Sequence, residues 1–200
     1  MVDYNLVSKP RIPYSVFERV LRSANSPAHP EALACWHAII SHGIDPAVAL
    51  AQFDKESTYG KFGRATANKS WGNLRRNGTF VKYSSWAAGA ADYARLLSGP
   101  LYAGSAHYHT VRTMPYRYAP SADHNNPAAY GSFMISMIQH YIALSPTFTK
   151  LFYTVVSGDT LSGIATKYRT TVARLLSFPE NAQYRDNPNL IHPGDKVRVR

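Results

Sequence analysis

The chain has 200 residues, 45% of them hydrophobic and 17% charged, and a formal net charge of +10. That length suits one medium domain, or one such domain with a small appendage, and the hydrophobic share excludes a disordered chain. The basic balance calls for an acidic partner, yet no long Lys/Arg run and no zinc-finger, RRM or helix-turn-helix pattern occurs, so an anionic polymer of diffuse charge fits better than a nucleic-acid groove.

Residues 1–14 read as an irregular arm. Ser15 to Ala24 can form a short helix, broken at Asn25-Ser26-Pro27, and Glu31 to His42 a second one, stopped by Gly43. Cys35, the only cysteine, excludes a disulfide framework and is expected in a helix core. Asp45 and Pro46 open a third helix as N-cap and first-turn residue, with Gly60 expected to close it. Residues 61–72 read as loop and short helical turns. Asn73–Arg76 and Thr79–Tyr83 flank Asn77-Gly78, a strong hairpin turn signal. Ser84 or Ser85 caps a helix to about Leu97, and Gly99-Pro100 ends it. Residues 101–126 are loop-rich around one short helix, and Asn126-Pro127 opens a long final helix to about Leu144.

The composition changes at residues 146–152, a short linker. A βααβ unit follows: a strand from Tyr153, helices over Leu161–Tyr168 and Val172–Ser177, and a returning strand at Lys196–Val199. The expected division is therefore 1–145, linker 146–152 and 153–200. The fold class is α+β, mostly helical, with one small hairpin. No basic stretch followed by an apolar run opens the chain, and no segment has the length of a membrane span. The expectation is synthesis in the cytoplasm, no membrane partner and a monomer.

Glu56 is the most informative residue. Pro46, Ala49, Leu50 and Phe53 share a stripe at helical spacing, and Glu56 falls one turn later on its flank. A carboxyl there is partly desolvated and faces the negative end of the helix dipole, and both effects raise its pKa. An acid kept protonated near neutral pH is what a glycosidase uses to protonate a leaving sugar oxygen. The bland alternative is a surface glutamate in the last turn of an ordinary helix.

Residues 1–152 hold seven other carboxylates: Asp3, Glu18, Glu31, Asp45, Asp54, Asp92 and Asp123. Asp54 lies about 160° round the helix from Glu56 and should not share its cleft. Asp92 sits inside a helix. Asp123, in the polar loop Ser121 to Asn126, is the one candidate to activate water, although the loop also reads as a solvent-exposed turn. A second carboxylate is dispensable if a 2-acetamido group on the substrate supplies the nucleophile. Tyr59, Trp71, Asn73, Phe80 and Tyr83 follow the acid or straddle the hairpin and are candidate sugar contacts, with core positions as the alternative for Trp71 and Phe80. No His-Glu-x-x-His pattern or Cys/His ligand spacing appears, so neither metal nor cofactor is expected.

Two resemblances follow. Tyr153-Thr154-Val155, Ser157-Gly158-Asp159-Thr160-Leu161, Ile164-Ala165 and Leu190-Ile191-His192-Pro193-Gly194-Asp195 resemble the LysM module in order and spacing. The resemblance implies binding to N-acetylglucosamine-containing chains such as peptidoglycan or chitin. It places Gly158, Asp159, Thr160 and Leu161 on one side of a sugar groove and Asn189, Leu190 and Ile191 on the other. Asp159 also suits a helix N-cap.

Residues 33–144 resemble the peptidoglycan β-N-acetylglucosaminidase family of autolysins and flagellar muramidases, with a lysozyme-like fold. The carrying segments are Ala49–Gln52, Glu56–Gly60, Trp71-Gly72-Asn73-Leu74-Arg75, Phe80–Tyr83, Ser85-Trp86, Asp92–Leu97, Tyr118-Ala119-Pro120 and Asn126–Tyr130. The resemblance implies that Glu56 is the catalytic acid and points to Tyr118 as the tyrosine near it. The resulting expectation is a peptidoglycan hydrolase, an endo-β-N-acetylglucosaminidase of phage endolysin type, released to the wall through a holin. Its rivals are a lytic transglycosylase or muramidase of the same fold, and a non-catalytic wall- or chitin-binding protein.

Overall fold

The computed structural model describes residues 2–145 and 151–199, without the Asp123 side chain. The chain divides into two compact units, Met1–Ser145 and Pro146–Arg200. Most of the expected linker, residues 146–150, lies outside the described residues. Leu151 and Phe152 belong to the second unit instead: Phe152 pairs with Arg198, and Val199 N donates to Leu151 O at 2.7 Å.

The first unit contains helices α1 (Tyr14–Ser23), α2 (Ala32–Ile40), α3 (Pro46–Ser57) and α4 (Arg64–Asn68), then strands β1 (Arg75–Arg76) and β2 (Thr79–Phe80), then α5 (Trp86–Ser98), α6 (Pro115–Tyr118) and α7 (Pro127–Leu144). α3 packs on α7, and α2 on α5. Every residue of α3 from Pro46 to Phe53 is buried, Gln52 included. In place of the expected one-sided stripe, the helix is buried all round up to Phe53, as its alanines and small apolar residues allow, and only its last turn, with Lys55, reaches the surface. Asp45 caps it, accepting from Ala47 N at 3.0 Å, and is itself held by Arg11. The helix ends earlier than Gly60: Thr58, Tyr59 and Gly60 take φ of 48°, 58° and 82°, a left-handed run that turns the chain away after Ser57.

Trp71 is fully buried and stacks on Phe53 with ring centroids 4.0 Å apart. Its Nε1 donates to Ala49 O at 2.9 Å, so its one polar atom is satisfied inside the core. The amino-terminal arm is stitched to this core rather than loose. Asn5 bridges Thr110, Val7 bridges Ile44, and Leu6 and Ile12 are buried. Cys35 is buried too, and burial pushes its thiol up to about 12.

The hairpin has the register Arg75↔Phe80 and Arg76↔Thr79. Asn77 and Gly78 both take positive φ, 49° and 76°, the geometry a two-residue I′ turn requires. Asp92 on α5 anchors the hairpin: it accepts from Arg76 Nη2 at 2.6 and 2.8 Å and from Tyr83 OH at 2.6 Å.

The second unit runs β3 (Phe152–Thr154), α8 (Leu161–Lys167), α9 (Val172–Ser177), a 3-10 helix at Pro179–Tyr184 and β4 (Lys196–Arg198), with β3 antiparallel to β4. Its core is small: Val155, Leu161, Ile164, Ala165, Leu175, Tyr184, Val197 and Val199. Asn181 adds to it from inside. Its Nδ2 donates to Leu175 O and Arg198 O, and its Oδ1 accepts from Arg198 N, all at 2.8 Å. Among the described residues no helix is long and apolar enough to cross a membrane.

Candidate active site

A cleft of about 1040 Å³ opens in the first unit between the end of α3, the hairpin, and the segments leading into α7. Glu56, Asn73, Phe80 and Tyr118 line it, together with Lys55, Arg75, Tyr102, His124 and Tyr130. Four residues singled out from sequence therefore meet at one place. Its volume suits a ligand larger than a single small molecule.

Glu56 sits in the last turn of α3, half-buried. Tyr130 OH donates to its Oε1 at 2.6 Å. Asn73 Nδ2 reaches its Oε2 at 3.4 Å and its backbone carbonyl at 3.2 Å. Burial pushes the Glu56 carboxyl up from the usual range; the Tyr130 and Asn73 hydrogen bonds and the Lys55 charge oppose this without cancelling it. Burial and the Glu56 charge in turn push the Tyr118 and Tyr130 phenols well above their ordinary value, so both remain donors.

Tyr118 lines the same cleft as the acid but makes no hydrogen bond to it. Its hydroxyl donates to Gly72 O, and its ring lies 6.1 Å from that of Tyr102. The tyrosine on Glu56 is Tyr130, which the sequence reading passed over. The available signal was its place in the first turn of a helix opened by Asn126-Pro127, on the face that becomes buried. Gly72 makes this crowding possible: a Cβ there would collide with Tyr118 Oη and lie 2.9 Å from Tyr93 Cδ2.

Three expected sugar contacts lie elsewhere. Trp71 has no exposed surface and is core. Tyr59 is buried, its hydroxyl 2.6 Å from that of Tyr141. The left-handed turn after Ser57 carries Tyr59 away from the cleft. Tyr83 is absent from the cleft wall, and its hydroxyl donates to Asp92 Oδ2 at 2.6 Å. Asp123 falls in a 3-10 turn at Ser121–Asp123 between the cleft residues Ala122 and His124, and its side chain lies outside the described residues. Glu56 is the one carboxylate among the described residues of the cleft wall. No group of three or more His, Cys, Asp or Glu that could hold a metal occurs among the described residues.

In the second unit, Gly158 takes φ of 88° and precedes Asp159. Asp159 is not the N-cap of α8; Thr160 is, accepting from Gly163 N at 3.1 Å. Asp159 instead ties the loop together, accepting from Val156 N at 2.9 Å and Tyr153 OH at 2.8 Å. These bonds hold its carboxyl below the usual range. Leu161 is buried, while Asn189 and Leu190 are exposed and Ile191 packs against the small core. Gly158 and Thr160 on the first loop, like Asn189 and Leu190 on the second, are exposed.

Residues 153–200 match the family model described as LysM domain. That part of the chain is a LysM domain, a module that binds peptidoglycan and related N-acetylglucosamine glycans.

Proposed function

We propose that this chain is a peptidoglycan hydrolase in which Glu56, on a lysozyme-like first unit, protonates the glycosidic oxygen after an N-acetylglucosamine residue. The observation that carries this reading is a desolvated carboxyl with a raised pKa, clamped by Tyr130 in a glycan-sized cleft. A general acid needs its proton near working pH and its oxygen fixed, and this arrangement supplies both.

With Oε1 engaged by the Tyr130 phenol, Oε2 carries the proton. It passes to the bridging oxygen as the bond to the anomeric carbon breaks. With Glu56 alone among the described carboxylates of the cleft wall, the substrate's own 2-acetamido oxygen is the fitting nucleophile. It closes an oxazolinium ring on the anomeric carbon, the amide nitrogen keeping its proton. Water then opens that ring, its proton returning to the Glu56 carboxylate. Tyr118, its hydroxyl held on Gly72 O, lines the same cleft. The LysM domain keeps the enzyme on an insoluble substrate and raises the local concentration of cleavable bonds.

The single acid also fits a lytic transglycosylase, in which a substrate hydroxyl attacks instead of water. Digestion of purified peptidoglycan with analysis of new ends decides. New reducing N-acetylglucosamine ends uphold the glucosaminidase, anhydro-muramic ends select the transglycosylase, and reducing muramic ends a muramidase. No new ends with retained pelleting on the wall leaves a binding protein.

A further inference from the structure

Two consecutive arginines of the hairpin have opposite fates. Side chains alternate across a strand, so Arg75 and Arg76 point to opposite faces. Arg76 is ion-paired to Asp92 at 2.6 Å, and Arg95 shares the same carboxylate. Arg75 lines the Glu56 cleft, and its side chain makes no ion pair or hydrogen bond among the described residues. Its guanidinium lies 4.2 Å from the centroid of Phe80, its cross-strand partner. Arg64 Cζ sits 5.0 Å from the same ring. Lys55, also on the cleft wall, is exposed and rests over Tyr130 and Phe133 at 5.7 and 5.3 Å. The cleft wall thus shows two cations against one carboxyl among the described residues.

A planar guanidinium stacked on an aromatic ring is pre-oriented, and its free edge matches a carboxylate in a two-pronged hydrogen bond. We propose that Arg75, seconded by Lys55, selects glycan strands bearing carboxylates over neutral N-acetylglucosamine polymers. This rests on the glycosidase reading of the cleft. It separates the two glycans that a LysM domain serves, since chitin carries no carboxylate and peptidoglycan carries one on its lactyl group or on its peptide stems.

The test compares initial rates of the full chain on three polymers: strands with peptide stems, strands stripped of stems by an amidase so that lactyl carboxylates are free, and a neutral N-acetylglucosamine oligomer. The expected result is a preference for acidic strands that shrinks with added salt. Arg75→Gln lowers that preference about tenfold, and Arg75→Lys keeps part of it. Loss confined to stem-bearing strands assigns the stem carboxylate, and loss confined to stripped strands the lactyl one. Absence of a preference, or equal loss on all three polymers, overturns the proposal. Cleavage of none of them removes the glycosidase reading instead. Binding of soluble fragments of the same polymers to the full chain then decides: an acid preference that Arg75→Gln weakens upholds the role of Arg75, and an insensitive one overturns it.

Discussion

The two units solve one problem, how to hold polar groups still, in opposite ways. The first has enough apolar residues to bury eight consecutive residues of a helix, Pro46 to Phe53, and it places Glu56 in the last turn of that helix, where the core supplies desolvation. The second has a core of eight buried residues and fixes its shape with polar side chains bonded to backbone: Asn181 inside, Asp159 and Thr160 at the loop. A large core can shift the chemistry of an acid. In the small one the Asp159 carboxyl is shifted the other way, downward, by the hydrogen bonds that shape its loop.

The sharpest way to break this contrast is Glu56→Gln. Loss of a general acid lowers rates by roughly 10²–10⁴-fold. Wall digestion should fall by that order while pelleting of the chain on peptidoglycan persists. Normal digestion by this variant would end the assignment of Glu56.

Asn181→Ala removes three hydrogen bonds from the small core. A cost of about 2–4 kcal/mol is expected, a large fraction of the stability of so small a unit. Wall pelleting should be lost, whereas cleavage of soluble glycan fragments should survive. Parallel loss of both would mean that the units do not divide the work.

Gly72→Ala drives a methyl into Tyr118 Oη and Tyr93 and should cost about 1–3 kcal/mol. Thermal unfolding followed by tryptophan fluorescence reads this in the first unit, because Trp36, Trp71 and Trp86 all lie there. An unchanged transition would show that the crowding relaxes freely.

Tyr130→Phe gives a subtler signal. The phenol favours the ionised form of Glu56, so its removal raises the acid's pKa further. In the proposed mechanism the acid works protonated, so the alkaline limb of the rate profile should move to higher pH, even if the maximum falls. A shift to lower pH would reverse the electrostatic picture.

The same raised pKa bears on folding. The native state binds the Glu56 proton more tightly than the unfolded chain does. This favourable linkage is present at low pH and is lost as pH climbs from the unfolded value through the folded one. Glu56→Gln should therefore melt higher than the parent at pH 7 and lose that advantage near pH 4, by calorimetry. An advantage independent of pH would remove the charge from the explanation.

Local chemistry was legible along the chain. Asp45-Pro46 starts α3, and Asn77-Gly78 makes its two-residue turn, because each depends on backbone conformations that those residues favour. The flank position of Glu56 follows from helical spacing. What spacing could not reveal is which aromatic residues meet the acid. Trp71 and Phe80 are alike by sequence, yet one is core and the other lines the cleft. Tyr118 and Tyr130 stand twelve positions apart, and only the packing of α7 on α3 decides which reaches a glutamate 74 positions earlier. Gly60 looked like a helix stop, but Thr58 adopts the left-handed turn first.

Two phenol links tie α7 to α3 and to the turn that follows it, Tyr130 to Glu56 and Tyr141 to Tyr59. Their positions on α7 differ by eleven residues, close to three full turns, or about 16 Å along the axis. α7 therefore works as a ruler with two marks. Adding or deleting one residue between the marks would swing one phenol about 100° off its target. Point substitutions along the exposed face of that stretch should be common among descendants of this gene, and length changes within it should be purged.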